Sequence, residues 1–214
     1  MPAALSNPPY ATLLTFSRYV GRTGPAKATF VGGLRRARQT RSGFNPHARF
    51  VKALKADIAR PASGRELEIA TVVDAVQPRW RPLYTALRAG GERYLASLAD
   101  RSDLQVVPVR AALDVISGLT VKVNPHFGLR HGDGRREVVR LHFDEQPPSD
   151  ELVAATLQLM TRQLSQILPG ARPVLVDVRR GTAHRPDPKV PTAEVERWLA
   201  GEALAFSSMW TAAA

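Results

Sequence analysis

The stretch that decides the fold runs from Leu119 to Phe143 and reads LTVKVNPHFGLRHGDGRREVVRLHF. Two β-rich runs within it flank the pair Asp133-Gly134. A tight turn is expected at this pair, because glycine readily adopts the positive φ values that hairpin turns require. We therefore predict a β-hairpin at the centre of a small α/β domain that extends from about residue 104 to residue 179.

The strands and helices predicted around this hairpin give the fold class. Their order is helix 82–99, strand 104–116, strand 119–129, strand 137–143, helix 149–168 and strand 172–179. Ser149 is expected to cap its helix, and a last helix is expected to begin at Thr192. The predicted class is α/β (α+β): a central mixed sheet in α-β-β-β-α-β order, flanked by helices, with a basic helical extension at the N-terminus.

The N-terminal part of the chain contains a clear helix signal. Asn45-Pro46 supplies a capping side chain followed by proline at the first helical position. Phe50, Leu54 and Ile58 then recur at intervals of four residues, which predicts a helix with one apolar face. Another helix is predicted over residues 65–76, and Pro78 ends it.

Glycine is dense between Gly21 and Gly43, and we predict a basic loop there with a short strand at residues 28–31. Gly90-Gly91 lies inside the predicted helix 82–99 and indicates either a close-packing point or a break. We place a boundary near residue 80. Residues 1–80 would form a basic, helix-rich region, and residues 81–214 an α/β core domain with a C-terminal helix.

Positive charge is concentrated in one segment of the chain. The net charge is +11, and eleven basic residues lie between Arg18 and Arg60, where Asp57 is the only acid. A basic segment of this kind indicates an anionic partner, most often nucleic acid, DNA or RNA. The predicted nucleic-acid-binding residues are Arg35, Arg36, Arg38, Arg41, Arg49, Lys52 and Lys55.

Composition excludes several other classes of protein. The chain has no cysteine, so it has neither disulfides nor thiolate metal ligands. No run approaches the roughly 20 apolar residues of a membrane span, and the N-terminus lacks the basic start of a signal peptide. Only five of the 30 basic residues are lysine, a bias typical of GC-rich bacterial genomes. We expect a cytoplasmic bacterial protein with no cofactor and no membrane partner.

The order of elements over residues 82–180 resembles the common core of the PD-(D/E)XK nuclease superfamily, which includes restriction-endonuclease-like and RecB-like domains. That family's chemistry requires an acid near the second strand and an acid-x-lysine motif on the third, whose carboxylates hold Mg²⁺. Thr120 or Val121 stands at the first of these positions, and Arg140 and His142 stand at the second. The resemblance therefore implies a catalytically degenerate core that binds nucleic acid rather than cleaving it.

A divergent metal-dependent nuclease is one alternative function. Its site would have to have migrated, with ligands at Glu92, Asp114 and Glu137. Histidines near the hairpin show no spacing typical of a metal site. We expect His142 to alternate with Arg140 on a polar strand face instead.

A protein-interaction or regulatory module is the other alternative. The apolar residues Phe206, Met209 and Trp210 lie close to the C-terminus. If no other part of the chain covers them, they form an exposed patch of the kind that marks an interface with a protein partner or a second copy of the chain.

Overall fold

The structure is a computed structural model that describes residues 9–39, 45–60, 66–98 and 103–213. Its helices are α1 (Leu13–Val20), α2 (Pro25–Gln39), α3 (Ala48–Ala59), α4 (Glu68–Ala75), α5 (Arg81–Ser97), α6 (Asp150–Arg162), α7 (Leu164–Ile167) and α8 (Thr192–Ala212). Its strands are β1 (Tyr10–Thr12), β2 (Gln105–Val107), β3 (Ala112–Ile116), β4 (Leu119–Val123), β5 (Phe127–Arg130), β6 (Arg136–His142), β7 (Ala171–Asp177) and β8 (Thr182–His184).

The strands form two mixed sheets flanked by helices, which confirms the predicted fold class. A five-stranded sheet has the order β2-β5-β6-β7-β8, and a three-stranded sheet has the order β1-β4-β3. Strands β5 and β6 pair antiparallel across the predicted turn, where Gly134 has a φ of +83°. Strands β6 and β7 pair in parallel, and α6 and α7 make the crossover between them.

Two prolines divide strands that the sequence predicted as continuous. The predicted strand 104–116 is β2 and β3, with Pro108 between them, and the predicted strand 119–129 is β4 and β5, with Pro125 between them. Proline has no N–H to donate to a sheet, so each one ends a ladder. The chain leaves the five-stranded sheet at Pro108, forms the β3–β4 hairpin in the smaller sheet, and returns at Pro125.

The five-stranded sheet has a hydrophobic core on each face. On one face α3, α4 and α5 pack over β6 and β7, and buried residues there include Phe50, Leu87 and Val139. On the other face lie α1, α2, α6, α8 and the three-stranded sheet, with Phe16 and Val138 among the buried residues. Both cores combine elements from either side of residue 80, so the predicted boundary does not separate two cores.

The segment predicted as a basic loop between Gly21 and Gly43 is largely helix α2, so that prediction and the strand at residues 28–31 were wrong. Val31 is fully buried, and Phe30 and Leu34 pack against the same core. Packing of these side chains outweighs the cost of two glycines in a helix, roughly 1 kcal/mol each.

The apolar residues near the C-terminus are covered by the chain itself. Phe206 and Trp210 are buried in α8, and Met209 is half-buried. The Phe206 ring meets the Tyr19 ring edge to face, with centroids 5.1 Å apart, and stacks on Trp210 at 6.2 Å. The expected exposed patch is therefore absent from the described part of α8, because α1 packs on Phe206 and α2 packs on Trp210.

Close packing explains the glycine pair in α5. A Cβ atom on Gly90 would lie 1.8 Å from the carbonyl oxygen of Val178, just after β7. A Cβ atom on Gly91 would lie 2.9 Å from the Phe50 ring of α3. The glycines let α5 touch both the sheet and its neighbouring helix, which confirms a close-packing point rather than a break.

We expect Gly90→Ala to lower the free energy of unfolding by about 3 kcal/mol, because the obstructing atom belongs to the backbone and cannot move freely. Urea unfolding followed by circular dichroism measures the change. The matched control is Gly201→Ala in α8, where a Cβ atom meets nothing within 4 Å. That variant should gain up to about 1 kcal/mol from helix propensity. Equal stability of the Gly90→Ala variant and the wild type would contradict the close contact.

Candidate nucleic-acid interface

The predicted binding residues do not form one surface. Arg41 lies outside the described residues. The others lie on two helices: Arg35, Arg36 and Arg38 on α2, and Arg49, Lys52 and Lys55 on α3. Helix α2 belongs to the core on one face of the large sheet, whereas α3 belongs to the core on the opposite face. The two groups therefore have to be considered separately.

Two of the α2 arginines hold other parts of the chain in place. Arg35 Nη1 donates a hydrogen bond of 2.7 Å to the carbonyl oxygen of Trp210. The Arg38 guanidinium lies 4.4 Å from the centre of the Trp210 ring and donates to the carbonyl oxygen of Tyr10. Arg36 is exposed. Most of the charge predicted for this helix is thus engaged in fixing α8 and β1.

The cations of α3 lie on its outer side, where Arg49 Nη1 also donates a hydrogen bond of 3.1 Å to the carbonyl oxygen of Ala75. Phe50, Leu54 and Ile58 are fully buried, as predicted. At about 100° per residue, Lys52 lies at the middle of the opposite face, with Arg49 and Lys55 roughly 60° to either side. Arg49 and Lys52 are exposed and Lys55 is half-buried. None of the three forms an ion pair with a carboxylate of the described residues.

The single acid of the basic segment is turned inward. Asp57 is 6% exposed, and its two carboxylate oxygens accept the backbone N–H groups of Glu68 and Ile69 at 2.7 and 2.9 Å. These N–H groups start α4, where a helix has free donors and a favourable dipole for a negative charge. Asp57 therefore stabilises α4 and contributes little negative charge to the exposed face of α3.

A cleft next to α3 brings another cation, Arg79, and an aromatic ring, Trp80, close to the cations of that helix. Its volume is about 260 Å³, and its lining includes Arg49, Gln77, Arg79 and Trp80. The Arg79 guanidinium lies 5.5 Å from the centre of the half-buried Trp80 ring. Cations beside an aromatic ring suit a nucleic-acid strand, because phosphates meet the charges and bases stack on rings. We call Arg49, Lys52, Lys55 and Arg79 the α3 surface.

Arg79 and Trp80 are not among the binding residues predicted from the sequence, because they fall at the predicted boundary near residue 80. The available signal was the sequence Pro78-Arg79-Trp80, which places a cation beside an aromatic residue immediately before a helix. In the structure these residues form a short 3-10 turn that leads into α5.

The acids of the alternative metal site are each paired with arginine. Asp114 accepts bonds of 2.7 and 3.1 Å from Arg162. Glu137 accepts bonds from Arg185 at 3.1 and 3.0 Å.

The third acid, Glu92, pairs with Arg88 on its own helix at 2.8 Å. Within residues 9–39, 45–60, 66–98 and 103–213, no three histidine or acidic side chains are grouped so that they could hold a metal ion.

The polar strand face expected for Arg140 and His142 is buried, so that prediction was wrong. Arg140 is 7% exposed and His142 is 3% exposed. Arg140 Nη1 donates 2.7 Å to the carbonyl oxygen of Asn124, and His142 Nε2 lies 3.2 Å from the carbonyl oxygen of Gln146. The reason is that the chain after β4 contacts Arg140 and the chain after β6 contacts His142.

Two histidines lie against the ring that follows β6. The His47 ring stacks on Phe143 with centroids 4.2 Å apart. His126 meets Phe143 edge-on, and its Nδ1 accepts the N–H of Leu141 at 2.9 Å. Burial, followed by the charge of Arg18, lowers the pKa of His47 to about 4.

The same causes act more strongly on the second histidine. Burial, followed by the charge of Arg140, holds the pKa of His126 well below its usual value. Both histidines are therefore neutral at pH 7. They place two uncharged imidazoles among nearby arginines.

An ion pair between Arg18 and Asp144 lies close to His47. Arg18 of α1 donates to both carboxylate oxygens of Asp144, through Nε at 2.8 Å and through Nη2. Burial alone would raise the pKa of Asp144, but the hydrogen bonds from Arg18 lower it below its usual range. We call the group around the carboxyl end of β6 the β6 cluster; its members are Arg18, His47, Asn124, His126, Arg140, Phe143 and Asp144.

Comparison with known proteins gives no relative from which a site could be transferred. No model of a protein family matches the chain, and no curated protein matches it. In the described part of the chain, no helix combines the length and the apolar character of a membrane span.

The two neutral histidines predict how stability depends on pH. In the unfolded chain they bind protons near pH 6.5, whereas in the folded protein they do so at lower pH. Since the unfolded state then binds more protons, the free energy of unfolding should fall as pH drops from about 6.5 towards 4. Urea unfolding at a series of pH values measures this fall.

The variant His47→Gln should show a smaller fall over the same range, because one of the two histidines no longer titrates. His184→Gln removes a histidine outside the β6 cluster and is the matched control. An identical pH dependence in His47→Gln and wild type would contradict the assignment.

Proposed function

We propose that the protein is a cytoplasmic nucleic-acid-binding protein that contacts the phosphate backbone through the α3 surface, on a nuclease-like core that does not cleave. The observation that carries the proposal is the burial of Asp57. The only acid between Arg18 and Arg60 is directed into the start of α4, so the exposed face of α3 presents cations alone.

The absence of internal partners supports this choice of surface. Several other basic residues are neutralised within the chain, as in the pairs Lys27–Glu202 and Arg162–Asp114. Arg49, Lys52 and Arg79 have no such partner among the described carboxylates. Cations that are not already neutralised gain most from a phosphate, because binding releases the counterions condensed on the nucleic acid.

The residues at the motif positions support binding rather than cleavage. The resemblance to the PD-(D/E)XK superfamily is based on a predicted order with three strands between two helices, whereas five strands, β2 to β6, lie between α5 and α6. The first motif position, Thr120 or Val121, lies on β4 in the three-stranded sheet and holds no acid. On β6 the motif positions hold Arg140 and His142, and neither side chain supplies a carboxylate for Mg²⁺.

A salt series tests the proposal, using fluorescence anisotropy of labelled single- and double-stranded DNA and RNA. About four phosphate contacts predict an affinity that falls about a hundredfold between roughly 50 and 200 mM salt. The double variant Arg49→Glu/Lys52→Glu should bind at least tenfold more weakly at the lower salt, with a reduced salt dependence.

The matched control is Lys122→Glu/Arg197→Glu, which changes the net charge equally at two exposed positions outside the α3 surface. It should bind nearly as well as the wild type. Equal weakening by both double variants would show a general charge effect, and no binding at the lower salt would reject the proposal. Mg²⁺-dependent cleavage that Glu137→Ala abolishes would favour the alternative of an active nuclease.

A further inference from the structure

The carboxyl end of β6 holds a buried positive charge for which the described residues supply no carboxylate partner. Arg140 is 7% exposed and makes one hydrogen bond, from Nη1 to the carbonyl oxygen of Asn124. A guanidinium has five N–H donors, so most of its capacity is unused. No carboxylate of the described residues pairs with Arg140.

Such a charge destabilises the folded chain unless an anion joins it. Burial, together with the charge of Arg18, lowers the pKa of Arg140 to about 10, so the guanidinium stays protonated at neutral pH. A residue whose only role was to hold the Asn124 carbonyl would not need this charge. A neutral amide donor makes the same bond without it.

Two further polar atoms of the β6 cluster are buried without a hydrogen-bond partner among the described residues. They are Nδ1 of His47 and Oδ1 of Asn124. The oxygen and nitrogen of an asparagine amide have nearly the same shape, so a half-turn places the NH₂ group where Oδ1 lies. His47 donates from Nδ1 in one of its neutral tautomers. The cluster thus offers donors from a guanidinium, an amide and an imidazole.

The surrounding charge is predominantly positive. Arg18 and Arg179 act on His47, and Lys55 and Arg140 act on His126. Asp144 is the acid that acts on His47, and Arg18 already binds both of its oxygens. A dianionic group would therefore enter a region of excess positive charge.

The position in the fold is also suited to a ligand. Strands β6 and β7 are parallel and are joined by a helical crossover. In open α/β sheets, ligands bind outside the carboxyl ends of parallel strands. Arg140 lies in the last three residues of β6, and Arg179 follows the end of β7.

We propose that the β6 cluster binds one phosphate group, with Arg140 as the buried donor and Arg18 and Lys55 at the rim. Phosphate fits better than a carboxylate because its oxygens accept bonds from several directions, whereas the two oxygens of a carboxylate lie in one plane. Building on the proposed function, we assign this phosphate to a nucleic-acid strand, because Lys55 belongs to the α3 surface and also lies near His126.

Thermal unfolding in inorganic phosphate tests the site without any nucleic acid. At a hundredfold excess over Kd, phosphate should raise the Tm of the wild type by about 5 °C or more above its value in chloride of equal ionic strength. Arg140→Gln keeps an amide donor for Asn124 and removes the charge, so its Tm in chloride should not fall, and the rise in phosphate should disappear.

Arg18→Gln at the rim provides a second variant in case Arg140→Gln does not fold, and it should also lose most of the rise. Arg197→Gln on the exposed side of α8 is the control and should keep it. A rise of equal size in wild type, Arg140→Gln and Arg18→Gln would overturn the proposal, and so would the absence of any rise in the wild type.

Labelled oligonucleotides identify the source of the phosphate. If the β6 cluster binds a phosphate of a nucleic-acid strand, Arg140→Gln should weaken binding of the oligonucleotide about tenfold. If that phosphate is the one at the 5′ end, 5′-phosphorylated strands should bind more tightly than 5′-hydroxyl strands.

A Tm effect without any effect on strand binding supports the phosphate site and overturns its assignment to a strand. The double variant Arg49→Glu/Lys52→Glu tests the α3 surface independently of the β6 cluster. Loss of strand binding in that variant, with Arg140→Gln unchanged in every assay, would leave the proposed function standing and reject the β6 site.

Discussion

The parallel pairing of β6 with β7 is the constraint on which the rest of the structure depends. Seven residue pairs, from Arg136–Ala171 to His142–Asp177, form this ladder. Parallel strands need a long crossover and helices on both faces. Helix α6 supplies the crossover and lies with α1 and α8 on one face, while α3, α4 and α5 cover the other. A strand placed so centrally cannot keep a polar face in water, and for this reason Arg140 and His142 are buried.

The distribution of acids follows from the same packing. Asp57, Asp114, Glu137 and Asp177 are all at most 7% exposed, and each accepts hydrogen bonds from arginine or from backbone N–H groups. These acids are bound by donors of the chain itself and are held away from solvent. The α3 surface is the clearest result, because Asp57, the only acid between Arg18 and Arg60, is used to start α4.

Local signals in the sequence predicted much of the fold. Asp133-Gly134 located the hairpin, Ser149 located the start of α6, and the apolar spacing after Asn45-Pro46 located α3. Helix α2 and the burial of Trp210 were not predicted, because they depend on contacts between segments about 170 residues apart.

Of the candidate site, the cations of α3 were predicted from the charge pattern of the sequence. The β6 cluster was not predicted, because its members come from four segments of the chain and only packing brings Arg18 and Arg140 together.

A map of amide chemical shifts by NMR, recorded with and without a short oligonucleotide, tests the central claim most directly. If nucleic acid binds along the α3 surface, the largest changes should fall on residues 48–60 and 77–81 and should diminish as salt is raised. Changes confined to α2, or spread evenly over exposed basic residues, would contradict the account.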